Sequence, residues 1–256
     1  MSCTVVVTGA AGNLGRRLVP HLEARGHRVR PVDRVASDDP GAIVAELSVP
    51  GAWRDVFAGA RTLVHLAGNG MSSASWTDLV ADNVDTLLLV LDAAAAHGVR
   101  RVVFASSVWA NRGRWPSPGP IAAGAADPGD NAYGMTKALG ERAVAAFVAT
   151  TGGVGIAVRI GGRPPGDQRP IRLDDWEDAC WLGPTDFVNG ITRAVEGEVD
   201  GFRVVNLVSD NPSRRWSLDE AREILGYVPE QHYDPRPRPP SPSKLRLFAR
   251  RFAKHL

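Results

Sequence analysis

The sequence predicts an α/β fold built on a doubly wound parallel sheet, and three observations carry that reading. Short apolar runs alternate with longer amphipathic stretches through the first two thirds of the chain, the pattern of strands joined by helical crossovers. The runs are nearly continuous in Val, Ile, Leu and Phe rather than alternating with polar residues, so both faces of the sheet should be covered. At 256 residues, with 44% hydrophobic and 23% charged, the chain is long enough for one domain with a substantial core.

In order, the predicted strands are Thr4–Thr8, 28–32, 43–47, 62–66, 101–105 and 155–160, and the predicted helices are 14–25, Ala52–Phe57, 76–96 and 132–149. Segment 111–130 is crowded with Pro and Gly and has almost no periodicity, so it reads as a long loop of the kind found at active sites. After Ile160 comes Gly161-Gly162-Arg163-Pro164-Pro165-Gly166, then a helix at 185–195 and a strand at 202–208. A short helix follows, opened by Ser217-Leu218-Asp219-Glu220 with capping-box spacing. Residues 161–228 are taken as a small C-terminal substrate-side cap on a single domain, 1–228. Six of the fourteen residues 229–242 are proline, which favours an extended connector. Beyond it, Leu245, Phe248, Phe252 and Leu256 fall at helical spacing among Arg246, Arg250, Arg251 and Lys254. A packed or frayed basic terminal helix is the expectation, a membrane-surface or partner-binding helix the sharper alternative.

The formal charge is +2, but residues 229–256 hold seven Arg/Lys against Glu230 and Asp234, a net +5 that leaves −3 on the first 228. A mildly acidic body argues against a nucleic-acid surface. No apolar run approaches the ~18 residues of a membrane span, and the first eight residues lack a signal-peptide pattern. The expectation is a cytoplasmic protein. Cys3 and Cys180 make neither a disulfide framework nor a metal cluster and are expected to be reduced core residues, with no metal bound.

Thr8-Gly9-Ala10-Ala11-Gly12-Asn13-Leu14-Gly15 follows the first strand and opens a helix. In that context Gly9 permits a tight turn, Gly12 lets the backbone approach a pyrophosphate and Gly15 lets the helix pack close to the strand. The N–H groups of the helix terminus face the anion. The second strand ends at Asp33, eighteen residues after Gly15, where a carboxylate accepts hydrogen bonds from the adenosine ribose and repels a 2′-phosphate. A Rossmann-type sheet binding NAD is the expectation. Arg16 and Arg34, either of which can neutralise a 2′-phosphate, leave NADP open.

Tyr133-Gly134-Met135-Thr136-Lys137 puts Tyr133 and Lys137 one turn apart on the same face of a predicted helix. A tyrosine is a poor base at neutral pH, with a reference pKa of about 10, but a neighbouring ammonium and an oxidised nicotinamide both stabilise its phenolate. Upstream, the strand through Phe104 ends in Ser106-Ser107, at the sheet edge where ligands sit.

Together these motifs resemble the short-chain dehydrogenase/reductases, specifically the extended branch that includes NAD-dependent epimerases and dehydratases. Residues 8–15, His65-Leu66-Ala67-Gly68, 104–107 and 133–137 match in order, and the resemblance spans about residues 4–210. It implies that Tyr133 is the general acid/base, that Lys137 holds the nicotinamide ribose, and that Ser107 rather than Ser106 orients the reacting oxygen. It places Gly9, Ala11, Gly12, Asn13, Leu14, Gly15, Asp33, Glu46, Leu47, Leu66, Ala67, Gly68, Asn83 and Ile160 at the cofactor. Glu46 stands where an aspartate is usual.

Stretches 102–109, 133–141, 158–161 and 186–188 look most like uronate dehydrogenases, which oxidise the anomeric carbon of a sugar acid to a lactone with NAD. On that resemblance Asn69, Ser107, Val108, Trp109 and Gly162 line the substrate site, with Arg172 as its arginine; Arg163 and Arg169 are further candidates. Where uronate dehydrogenases follow the serine with Asn-His, this chain has Val108-Trp109, and a less polar substrate follows. The family likeness also implies a homodimer, with the apolar helix 87–96 as one candidate contact.

The leading expectation is therefore an NAD-dependent oxidoreductase moving hydride to or from a secondary hydroxyl or carbonyl carbon of a small, sugar-like or cyclic molecule. A sugar epimerase that retains its NAD is the second reading, weighed against the short region after Ile160. A dehydratase ranks third, because Val108-Trp109 replaces the acidic pair. A non-catalytic dinucleotide sensor on the same fold is the reading from another class.

Overall fold

Seven strands, all parallel, form one sheet: β1 Thr4–Thr8, β2 Arg28–Asp33, β3 Ile43–Val44, β4 Thr62–His65, β5 Arg101–Ser107, β6 Val154–Ile160 and β7 Phe202–Leu207. The computed structural model describes residues 2–37, 39–124, 126–162 and 175–233. Strand order is β3-β2-β1-β4-β5-β6-β7, so the winding reverses between β1 and β4 and opens a crevice beyond their carboxyl ends. Register fixes what lies at that crevice: Thr8 pairs with Val32 on one side and His65 on the other, and Ser107 pairs with Ile160.

Helices α1 Gly15–Ala24, α2 Trp76–Val80, α3 Thr86–Ala96, α4 Ala132–Thr151, α5 Asp175–Cys180, α6 Pro184–Glu196 and α7 Asp219–Leu225 complete the fold. Because strand side chains alternate, Val5 and Val7 enter one core with Leu18, Leu22, Phe187 and Ile191, while Val6 enters the opposite core with Leu63, Leu87, Val90 and Phe147. Each sheet face is thus sealed, as the unbroken apolar runs require. Burying these side chains contributes roughly 1.5–3 kcal/mol each before entropy is counted.

The structure departs from the sequence reading at particular points. The expected helix 76–96 is interrupted by a π-helical turn, Ala81–Asp85, which carries Asn83. The third strand is only two residues long, and Ala52–Phe57 is a 3₁₀ helix. The expected loop 111–130 starts inside a 3₁₀ segment, Val108–Arg114. Its return is tied down where Ile121 N donates to Arg215 O (2.7 Å) and Ser217 N to Ile121 O (2.9 Å).

The capping box at Ser217 does not form. The Ser217 hydroxyl accepts from Asp219 N (3.0 Å), but Glu220 turns away and accepts from Ala123 N (2.9 Å), anchoring the same loop. Strand β7 continues the main sheet beside β6. Cys180 is buried and Cys3 partly exposed, and both are reduced thiols. Arg163, Arg169, Arg172 and the basic segment 244–256 lie outside the described residues. Among the described residues no helix is long and apolar enough to cross a membrane, and no His/Cys/Asp/Glu group could hold a metal ion.

Candidate active site

The turn after β1 is shaped by its glycines. Gly9 has φ +72°, and a Cβ there would come within 2.6 Å of Ala67 N. At Gly15 a Cβ would lie 2.3 Å from Gly9 O, so only glycine lets α1 begin this close to the loop. No side chain caps the N-terminus of α1, and no acidic residue occupies its first turn. Arg16 N and Arg17 N already donate to Gly12 O and Leu14 O (3.1 and 3.2 Å), so what α1 offers an anion is the positive end of its dipole behind the glycine turn, an arrangement that a dinucleotide pyrophosphate fits.

Asp33 ends β2 with both carboxylate oxygens engaged, Oδ2 accepting from Ala11 N (2.9 Å) and Oδ1 from Val35 N (3.0 Å). Each oxygen keeps a lone pair for a ribose hydroxyl. A cavity of about 370 Å³ opens here, lined among others by Ala11, Gly12, Asp33, Glu46, Leu47 and Ala67. A second, of about 450 Å³, is lined by Asn13, Leu14, Ser107, Tyr133, Lys137 and Ile160 among others. Gly9, Gly12, Leu66 and Gly68 line both, so the two form one groove across the crevice. The residues fit an extended dinucleotide.

At the second cavity Ser107 closes β5, its hydroxyl accepting from Trp109 N (3.3 Å) and lying beside the Tyr133 phenol. Asn131 caps α4 by accepting from Gly134 N (2.7 Å), which fixes Tyr133 in the first turn and Lys137 one turn on. All three are nearly buried. Burial pushes the Tyr133 phenol up, with the Ser107 hydroxyl pulling the other way. Burial pushes Lys137 down to about 8. In the protein by itself desolvation dominates, although Lys137 Nζ lies 5.7 Å from the Tyr133 ring centroid.

Other expected residues serve differently. The Asn83 amide is buried and holds its neighbours, with Oδ1 accepting from Asn69 N (2.6 Å) and Nδ2 donating to Asn69 O and Thr136 Oγ1 (3.1 Å each). The Asn69 side chain is likewise engaged, donating to Asp82 (3.1 Å) and accepting from Met71 N (3.0 Å). Glu46 borders the adenosine-end cavity but folds onto Ser48, accepting from its N–H (3.0 Å) and hydroxyl (2.8 Å). Gly15 packs rather than lines. Val108, Trp109 and Gly162 line the second cavity.

Three features escaped the sequence reading. Four tryptophans form a contiguous cluster: Trp109 meets Trp176 at 5.5 Å between centroids, Trp115 meets Trp176 at 5.1 Å, and Trp216 meets Trp176 at 4.7 Å. Its inner edge, Trp109, stands T-shaped to Tyr133 at 6.4 Å. His65 is fully buried, its Nδ1 2.9 Å from Thr8 Oγ1, and burial with the nearby Lys137 charge pushes it down to about 3. It therefore stays neutral behind the lysine. Ser106 turns away from the cavity's acid/base pair to Glu141 (2.6 Å). Only the tryptophans carried a signal, in their number, and no spacing rule links residues so far apart.

Residues 5–162 match the NAD dependent epimerase/dehydratase family. The L-arabinose 1-dehydrogenase (NAD(P)(+)) of Haloferax volcanii is 32% identical, across 89% of this chain and 96% of that one. Among solved structures, a mutated uronate dehydrogenase is similar with a TM-score of 0.78 and 30% identity, over 91% of this chain and 83% of that chain. An NAD complex of the Agrobacterium tumefaciens uronate dehydrogenase has a TM-score of 0.77 and 26% identity, covering 94% and 93%.

Proposed function

Because the chain belongs to the NAD dependent epimerase/dehydratase family, we propose that its groove carries out NAD-dependent oxidation of a small cyclic sugar at its anomeric, secondary hydroxyl carbon. The observation that carries this reading is that Ser107, Tyr133 and Lys137 line one cavity, at the end of the groove that begins at the glycine turn. NAD, when bound, supplies the hydride acceptor. Gly9, Gly12, Asn13, Leu14 and Asp33 would hold its pyrophosphate and adenosine ribose, and Lys137 its second ribose.

As the phenolate that the Lys137 ammonium and the charge of the bound cofactor would stabilise, Tyr133 would receive the proton of the substrate hydroxyl, and Ser107 would donate to the reacting oxygen. Trp109 offers an indole face to a sugar ring, Gly162 flanks the same end, and Asn69 holds the Gly68–Gly70 loop that borders it. The arabinose and uronate dehydrogenases among its relatives support an aldose or a uronate as substrate. No observation favours an epimerase or a sensor over this reading.

The reading includes a homodimer acting in the cytoplasm. α3 gives most of its apolar residues to the core, but Leu88 on α3 and Met135 and Leu139 on α4 are exposed, and they supply an apolar patch for a second copy. Residues 1–228 serve as the single catalytic unit.

The test is Tyr133→Phe. Turnover should be abolished while NAD affinity changes little; full activity would overturn the assignment.

A further inference from the structure

The proposed activity requires NAD, and the groove contains a device for choosing between NAD and NADP that the glycine turn and Asp33 do not explain. Arg34 directly follows Asp33 and lines the adenosine end of the groove with Arg16, Glu46 and Asp82. On position alone it is suited to neutralise a ribose 2′-phosphate. Its guanidinium, however, reaches across to the π-helical turn, where Nη1 lies 3.7 Å from Asp82 Oδ1.

Asp82 is not a loose surface carboxylate. Its Oδ2 accepts from Asn69 Nδ2 (3.1 Å), and Asn69 is itself held through its backbone by Asn83. The carboxylate is therefore fixed from below, while the Arg34 side chain that meets it is 64% exposed. Glu46 adds to the effect from the other wall: besides its bonds to Ser48, the Arg34 charge helps hold its carboxyl below the usual range. Arg34 thus sits between two carboxylates.

We infer that Asp82, anchored by Asn69, is a specificity-determining residue that draws Arg34 away from the ribose 2′ position and so favours NAD over NADP. A 2′-phosphate would have to compete with Asp82 for Arg34 while facing Asp33. A ribose bearing a free 2′-hydroxyl makes no such demand. The π turn explains the geometry, since the extra residue that it inserts between α2 and α3 sets Asp82 and Asn83 side by side, one toward the adenosine end and one toward the Gly68 loop.

This inference rests on the proposed NAD-dependent reading, and the experiment separates the two. Binding of NAD and of NADP to the full-length protein is measured by calorimetry for the wild type, Asp82→Asn, Arg34→Ala and the double variant. Asp82→Asn is close to isosteric and keeps an acceptor for Asn69. It should lower the NADP-to-NAD ratio of dissociation constants about fivefold, the scale of an exposed ion pair of about 1 kcal/mol. Adding Asp82→Asn to Arg34→Ala should leave the ratio where Arg34→Ala alone puts it. An unchanged ratio in Asp82→Asn would overturn the inference, as would an equal gain without Arg34, which would reveal a bare field effect of the carboxylate. If the wild type binds neither nucleotide, the proposed function fails along with it.

Discussion

Glu141 on α4 accepts from Ser106 at 2.6 Å and from Arg159 on β6 at 2.7 and 2.8 Å, so three neighbouring elements are joined by one buried carboxylate. The Arg159 guanidinium continues outward to Gly124 O (3.2 Å), carrying the same network into the loop that returns from the tryptophan cluster. Of two adjacent serines ending β5, Ser106 is thereby tied to α4, while Ser107 accepts from Trp109 N beside the groove.

Ser107→Ala should lower kcat/KM about 10²–10³-fold, the usual effect of losing a hydrogen-bond donor to a reacting oxygen. Ser106→Ala should leave kcat/KM within a few-fold and act on stability instead. Steady-state kinetics of the two variants check this; equal losses in both would contradict it.

Arg159→Met should destabilise the fold by about 3–5 kcal/mol, because it strands a buried carboxylate. Arg159→Met combined with Glu141→Leu should recover much of the loss, since a well-packed apolar pair replaces a buried ion pair at little cost. Urea unfolding reads both. A loss near that of an exposed ion pair, about 1 kcal/mol or less, would show that water reaches the pair.

Lys137→Met should abolish turnover yet stabilise the cofactor-free protein at pH 7. Burial lowers Lys137 from 10.5 to about 8, so holding it charged costs roughly 3 kcal/mol. Between those values the unfolded chain binds the proton and the folded chain does not, so wild-type stability should rise with pH relative to the variant. The difference should close by pH 10.5. Chemical denaturation across that window tests the sign; a variant less stable at pH 7 would contradict it.

Gly12→Ala should weaken NAD while sparing the fold. Its Cβ would meet only Gly9 O, at 3.2 Å, a contact that a small shift relieves, but the methyl would lie in the anion's path. Gly9→Ala should instead lower stability, because its Cβ would strike Ala67 and Leu66 backbone in a left-handed conformation. Thermal unfolding with and without NAD distinguishes the two effects.

Much of this arrangement was legible in the sequence where the information is local. Thr4–Thr8, Gly9 through Gly15, Asp33 and the Tyr133/Lys137 pair declare themselves by period and spacing, and the sheet brings them to one edge as expected. What stayed hidden depends on partners far along the chain. Glu220 looked like a capping residue until its contact with Ala123, 97 positions away, was seen. The family likeness already set Ser107 apart from Ser106, but the bond that ties Ser106 to Glu141, 35 positions away, left no local trace. Trp109, Trp176 and Trp216 share no period, and the short helix α5 carrying Trp176 is too brief to leave one. The Arg34–Asp82 contact likewise depends on a π turn that no periodicity announces.

The most direct test follows the near-ultraviolet absorbance of reduced nicotinamide as the purified protein meets NAD and a panel of aldoses, uronates, cyclitols and apolar secondary alcohols. Stoichiometric NAD binding is checked in the same sample. Steady NAD reduction is expected with an aldose or a uronate, lost in Tyr133→Phe. Stoichiometric NAD binding without reduction by any aldose or uronate would contradict it and turn the reading toward an epimerase with captive cofactor or a dinucleotide sensor.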